Sequence, residues 1–242
     1  QFNWGLTQIA NCDWVVRMDA DEYLTEKLQS SIAEAVDKND TNLAGYSFKR
    51  RIFFLGRKIK YGGVFPVEIV RMFRFGAGRV EARLMDEHIV VEGSIGRIEG
   101  EIIDDNKSSL TWWIGKHNRY SSLEAYEMYL SRGELDTIGG YGAATKRRHK
   151  LKLLYLSFPV SLRALMLFLY RYFVRLGFLD GFYGFLFHFY QGYWYRFLVD
   201  SKYTALIEAI DMIDDDLASL ISNNLEIPED IVKSRMESKS ES

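Results

Sequence analysis

One cysteine, Cys12, in 242 residues leaves no partner for an internal disulfide. A reducing compartment is therefore expected. Excess charge is also missing. The net charge of -2 excludes nucleic-acid binding driven by global charge. No apolar run reaches the roughly 20 residues that would span a bilayer, and no secretory leader pattern is visible. The chain opens on Gln1, not Met, and Phe2-Asn3-Trp4-Gly5-Leu6 reads as the middle of an amphipathic helix. A longer parent, with sequence upstream of Gln1, is the expectation. Aromatic residues are plentiful at 15%, and about half of them lie between Leu151 and Val199.

The most informative motif is Asp19-Ala20-Asp21, placed at the end of the apolar run Trp14-Val15-Val16-Arg17-Met18. A strand that stops at two carboxylates presents them at its C-terminal edge, where open α/β sheets bind ligands. Two hard oxygen donors suit Mg²⁺ or Mn²⁺, bound through one or two carboxylates plus substrate phosphates. The bare motif is also a common turn or helix cap, so its context must decide.

That context reads as α/β over residues 1–105. Phe2 to Ala10 forms a helix and Trp14 to Met18 a buried strand. Thr25 caps a helix with apolar positions Leu28, Ile32 and Val36, which Lys38-Asn39-Asp40 ends. Gly45 to Leu55 is a strand with Lys49, Arg50 and Arg51 on a charged face. Gly62-Gly63 marks a turn, Glu68 to Phe75 another strand, and Ile95 to Ile103 two short β pieces around Gly100. The order suits a mixed sheet with helices packed on it.

Past Asp104-Asp105-Asn106 the chain becomes helical. Ser109 or Thr111 caps one helix through Trp112, Lys116 and Tyr120, and Ser122 opens another. Gly139-Gly140 is a break, and the basic run Lys146 to Lys150 leads into the aromatic stretch. Pro159 starts or breaks a helix there, with Arg163, Arg171 and Arg175 on one arc. Basic and aromatic residues together suit helices lying in a membrane interface. The plain alternative is a helical subdomain packed on the sheet or on a partner. The tail after Ser222 is polar and expected to fray, with Ser238 to Ser242 disordered.

Several ordered motifs together resemble family 2 glycosyltransferases of bacterial surface-polysaccharide assembly. They are Arg17-Met18-Asp19-Ala20-Asp21-Glu22-Tyr23-Leu24, Gly62-Gly63, Arg71-Met72-Phe73-Arg74, and Met85-Asp86-Glu87-His88-Ile89. Asp104-Asp105-Asn106 with Leu110-Thr111-Trp112-Trp113 and Lys116-His117-Asn118 continues the pattern, as does Gly177-Phe178-Leu179-Asp180-Gly181. The resemblance runs to about Leu206. It implies a GT-A fold, a Rossmann-like α/β domain, here lacking the first half that grips the nucleotide base. Residues 1–105 would be its C-terminal part, 106–206 a helical membrane-interface region, and 207–242 a polar helix and tail.

The resemblance implies inverting transfer of a sugar from a nucleotide-sugar donor, UDP- or GDP-linked, to a glycan or polyprenyl-diphosphate-linked acceptor. The enzyme would be peripheral on the cytoplasmic face of the bacterial inner membrane. A Mg²⁺ or Mn²⁺ ion would offset the charge of the leaving diphosphate. Asp19 and Asp21 are the expected metal residues, Asp21 the more direct. Related sequences often carry His-Glu where this chain has Asp86-Glu87, so Glu87 aligns with the general base and Asp86 is second. Relatives carry His-Tyr in place of Asp104-Asp105, which makes Asp104 a candidate third ligand. Gly62 and Gly63 would let the backbone approach the donor sugar, His88 would orient the base or touch diphosphate, and Trp112 is a stacking candidate. Arg71 and Arg74 are phosphate candidates or edge-strand charges, and His117 and His188 structural or interfacial. The rival reading, from another class, is a non-catalytic membrane-associated scaffold derived from a truncated glycosyltransferase. A phosphohydrolase using the same carboxylates is a third.

Overall fold

A computed structural model describes residues 2–9, 12–81, 84, 88–131, 159–212 and 216–240. Two compact units emerge. One comprises residues 1–109 with 171–186, the other 110–170 with 187–242.

The first unit is built on a mixed sheet. Its strands are β1 (Trp14–Val16), β2 (Glu22–Leu24), β3 (Leu43–Phe54), β4 (Arg57–Lys58), β5 (Val67–Arg74) and β8 (Ser94–Asp105), in the order β1-β5-β3-β8-β2, with β4 paired to β3. β6 (Gly78–Val80) and β7 (Ile89–Val91) form a separate antiparallel pair. Only β3 and β8 run parallel within the larger sheet. β1, β3 and β8 therefore run in the same direction, but by register β1 stops level with Tyr46 of β3, while β3 and β8 continue together to Phe53 and Asp105.

The sheet curls, and the short link from β1 to β2 shows why. These strands stand at opposite ends of the order, four strand spacings or about 19 Å apart if the sheet were flat. Their connection contains a turn, with the Glu22 N–H donating to the Asp19 carbonyl at 3.0 Å. A turned connection of that length cannot cross a flat sheet. The two edges are drawn together, and the Asp19–Glu22 turn bridges from β1 to β2 at the end of β8.

Helix α1 (Phe2–Gln8) precedes the sheet, and α2 (Glu26–Lys38) packs on β8. Thr25 caps α2 as expected, accepting from Leu28 N–H, and Asn39 ends it in the left-handed region. Leu28, Tyr46, Phe48, Met72, Ile98 and Ile102 make the core, with Trp14, Val16 and Ile32 against them. Val36 is exposed, so the helix buries a narrower stripe than its spacing suggests. The two β pieces expected around Gly100 are one twelve-residue strand. Gly100 marks a bulge, at φ 108°, where the β3–β8 register shifts between Ser47 and Lys49.

The second unit is helical. α3 (Leu110–Leu130) packs on α6 (Tyr195–Met212), which also meets α7 (Leu217–Leu225). Ser122 does not open a new helix. α3 is continuous, with Ser121 and Ser122 buried within it. Burial alone does not break a helix when a serine finds partners, and Lys202 Nζ donates to Ser122 Oγ at 2.9 Å. The tail is helical rather than frayed as far as Ser240, and residues 241–242 lie outside the described residues. α8 (Glu229–Ser240) buries Val232, whose carbonyl accepts from Tyr126 Oη at 2.8 Å, and Arg235 forks onto Glu127. Two tertiary anchors outweigh its low amphipathicity.

α4 (Val160–Leu169) starts just after Pro159 and passes into a π-helical turn, Tyr170–Val174. Arg163, Arg171 and Arg175 do not form an exposed basic arc. Arg163 is buried in an ion pair with Asp200, Arg171 lies in the π-turn and Arg175 beyond it. His188 is fully buried, so it is not interfacial. The Lys146–Lys150 run and Gly139-Gly140 lie outside the described residues. No helix among the described residues is long and apolar enough to cross a membrane.

His117 has a measurable signature. Its ring stacks on Trp113 with centroids 3.5 Å apart, and Nδ1 lies 2.9 Å from the Trp113 carbonyl oxygen. Burial holds its pKa below the ordinary 6.5, with that carbonyl opposing the shift. The unfolded chain therefore takes up the proton first as pH falls. His117's contribution is complete above about pH 6.5 and is lost as pH falls through the folded-state value. A His117→Phe variant keeps a ring without the titration. Between about pH 7 and pH 5 the wild type should lose unfolding free energy faster than this variant. Parallel curves would refute the assignment.

Candidate functional site

The Asp19–Glu22 turn runs from the end of β1 to the start of β2 beside the end of β8, and it gathers charge there. Glu22 is its anchor. The side chain is 2% exposed, its Oε2 accepts from Asp19 N–H at 2.9 Å, and its Oε1 accepts from Arg71 at 2.7 Å. Arg71 Nη2 also donates to Asp19 Oδ2 at 3.0 Å. Arg17 stands 3.8 Å from Asp19 Oδ1, and its own N–H donates to the Arg71 carbonyl at 2.8 Å. Asp19 thus faces two guanidinium groups while its side chain stays 48% exposed.

Asp21 lies on the other side of the turn. Its Oδ2 accepts from Asn106 Nδ2 at 2.9 Å, and its carbonyl accepts from Asp105 N–H at 3.0 Å. Asp104 is the register partner of Glu22 across β2 and β8. Asp105 Oδ1 is buried and takes no hydrogen bond from any described residue. Its Oδ2 is 4.0 Å from Lys107. Deeper in the sheet, Glu101 accepts a forked pair from Arg51, and Arg51 also stacks on Phe65 at 3.2 Å. The hydrogen bonds from Arg51 hold the Glu101 carboxyl below the usual range, against the opposing effect of burial.

The expected residues are distributed as follows. Asp19, Asp21 and Asp104 come together at this edge. Glu87 and Asp86 lie outside the described residues. His88 is exposed and 3.5 Å from the Glu81 carboxylate. Gly62 and Gly63 form a turn at φ 77° and 75°. Its partners are protein: Gly62 N–H donates to the Arg175 carbonyl at 2.8 Å, and a Cβ on Gly63 would lie 3.4 Å from the Arg175 guanidinium. Arg74 is structural, tying its guanidinium to the Leu43 and Asp40 carbonyls and Asn39 while covering Trp14. In the helical unit Trp113 is a packing residue, edge-on to Tyr190, and Trp112 is exposed with Lys116 over its ring.

Sequence reasoning did not single out Glu22, Arg17, Asn106 or Asp105. The signal was present for three of them. Glu22 continues the acidic motif, and Asp105-Asn106 closes the long strand β8. No protein-family model matches the chain.

No group of three or more His, Cys, Asp or Glu side chains able to hold a metal occurs among the described residues. A divalent ion bridging to a diphosphate needs only one or two carboxylates from the protein. Asp21 with the buried oxygen of Asp105 beside it offers such a pair, and a buried carboxylate oxygen lacking a donor is a fitting place for a cation.

Proposed function

We propose that this chain belongs to a GT-A, family 2 glycosyltransferase: metal-dependent, inverting, and acting at the cytoplasmic face of the bacterial inner membrane on a lipid-linked glycan. The observation that carries the reading is the Asp19–Glu22 turn. It carries one carboxylate, Asp19, just past the end of β1 and another, Asp21, against the end of β8, and the carboxyl ends of strands are the usual ligand position of an α/β sheet.

In this reading Asp21 holds the Mg²⁺ or Mn²⁺ ion and Asp105 takes the role first assigned to Asp104. Asp19 is the placing residue, because two arginines already face it. Held there, such an ion would offset the charge of the departing nucleotide diphosphate. Arg71, buried and fixed by Glu22, adds positive charge at the same edge. Glu87, with Asp86 second, accepts the proton of the attacking acceptor hydroxyl. The sugar's anomeric carbon gains the bond to that oxygen as its bond to the diphosphate breaks.

Calorimetry of UDP and GDP with Mn²⁺, on this chain and on any longer parent, tests the reading. Metal-dependent nucleotide binding is expected, weakened at least about tenfold in Asp21→Ala. Glu87→Gln should keep that binding and lose transfer. Binding that ignores metal, with Asp21→Ala unchanged, would favour the scaffold. Free sugar released without an acceptor would point to hydrolysis.

A further inference from the structure

The first unit contains a segment, residues 171–186, whose surface does not suit water. Phe173, Val174, Leu176, Phe178, Leu179 and Phe182 are all exposed, Val174 at 67% and Phe182 at 69%. A monomeric protein rarely leaves so many large apolar side chains together. Fraying does not explain it, because the segment is tied down from below. Asp180 Oδ2 accepts from the backbone N–H groups of Lys60 and Tyr61 at 2.9 and 2.8 Å. The Arg175 carbonyl accepts from Gly62. Tyr172 packs edge-on against Phe173, Phe178 and Phe185. Gly184 is so close to Asp180 and to the Gly177 carbonyl that a Cβ would lie 2.5 and 2.6 Å from them. The apolar side chains are held outward by a fixed scaffold.

Cations outnumber acids in the segment and in the strand and turn tied to it, with Lys58 also near the Glu101 carboxylate. The segment and the strand-and-turn beneath it, residues 57–63, carry Arg57, Lys58, Lys60, Arg171 and Arg175 against a single acid, Asp180. That acid is already engaged by two backbone donors. The rest of the chain is acidic enough to bring the total to -2. A second copy of the same face would bring like charges together, which disfavours self-association. An anionic lipid surface matches both features: aromatic and aliphatic side chains at the headgroup boundary, cations against the headgroups.

We propose that residues 171–186 dock the protein onto anionic membranes and that, through Asp180 and Arg175, docking fixes the Gly62-Gly63 turn at the bilayer surface. The docking stands on this patch alone. Its use, presenting the turn to a lipid-linked acceptor, rests on the glycosyltransferase reading.

Flotation of the full chain with phosphatidylcholine vesicles, with and without phosphatidylglycerol, tests it. The protein should float only with the anionic vesicles. Val174→Asp/Phe182→Asp, at two exposed positions, should lower partitioning at least about tenfold. Lys58→Glu/Lys60→Glu should lower it about tenfold or more and remove its sensitivity to salt. Unchanged circular dichroism and melting show that the variants fold, and Val174→Ser/Phe182→Ser decides the matter if the aspartates do not. Failure to float, or equal flotation of the variants, overturns the proposal. So does a dimer in sedimentation that the apolar variant abolishes while vesicles go unbound, or binding confined to an acidic protein. Nucleotide binding without vesicles is measured separately, so loss of one reading leaves the other standing.

Discussion

Replacing Gly100 by alanine is expected to remove about 2–6 kcal/mol of stability, from two costs of about 1–3 kcal/mol each. The first is conformational. Gly100 sits at φ 108°, a backbone region that side-chain-bearing residues rarely adopt. The second is steric. A Cβ there would lie 2.6 Å from both the Cα and the N of Leu28. Backbone, not a movable side chain, is in the way. Leu28 is itself fully buried, and the start of its helix is pinned to the next strand residue, with Thr25 N–H donating to the Glu101 carbonyl at 3.1 Å. Helix α2 can retreat only by opening the core it covers. Stabilities of domains commonly lie near 5–15 kcal/mol, so this loss is a large share of the total. Urea unfolding checks it, and a loss below about 1 kcal/mol would mean that α2 slides easily.

The same glycine shows what the sequence can and cannot carry. Its position was legible as an interruption between two β pieces. That the interruption is a bulge in one strand was not, because the bulge exists only against the register of β3. Long elements with a repeating apolar pattern were readable: α2, β3, β5, and the start of α4 at Pro159. Apart from β1, short strands were not. β2, β4, β6 and β7 have two or three residues each, too few for a period to develop. The serine pair in α3 reads locally as a helix start, yet Lys202 from α6 satisfies Ser122 from outside. The polar α8 reads as a frayed tail because its anchors, Tyr126 and Glu127, lie about a hundred positions earlier.

The site divides along the same line. Asp19 and Asp21 announce themselves by spacing at a strand end. Arg71 does not, because an arginine in an alternating strand is ordinarily a solvated edge charge. The pairing of β5 with β1 sets it beside Arg17 and Asp19, and the curl of the sheet brings Glu22 onto it. The glycine turn was legible as a turn, but its neighbours, Arg175 and Asp180, come from more than a hundred residues later. What a sequence states poorly is which distant side chain completes a local motif.

Arg71→Met is the sharper test of that edge, with an expected loss of about 3–5 kcal/mol. The reason is Glu22, not Arg71. Methionine fills much of the arginine's volume, so little packing is lost. The Glu22 carboxylate, 2% exposed, keeps only the Asp19 N–H among its hydrogen bonds described above and loses its cation. A buried charge without its counter-ion is among the most destabilising single changes in a protein. Glu22→Gln/Arg71→Met should therefore recover part of the loss, since no charge remains buried and the glutamine oxygen can still accept from Asp19 N–H. This recovery is what a double-mutant cycle reads, and it separates charge burial from loss of shape. If the double variant is as unstable as Arg71→Met, the cost lies in packing. If Arg71→Met itself loses under about 1 kcal/mol, Glu22 has another route to water and the turn is looser than its hydrogen bonds imply. The cycle bears on function as well. A rigid Glu22–Arg71 pair would hold Asp19 and Asp21 in place before any ion or diphosphate arrives, and such preorganisation is what an electrostatic site requires.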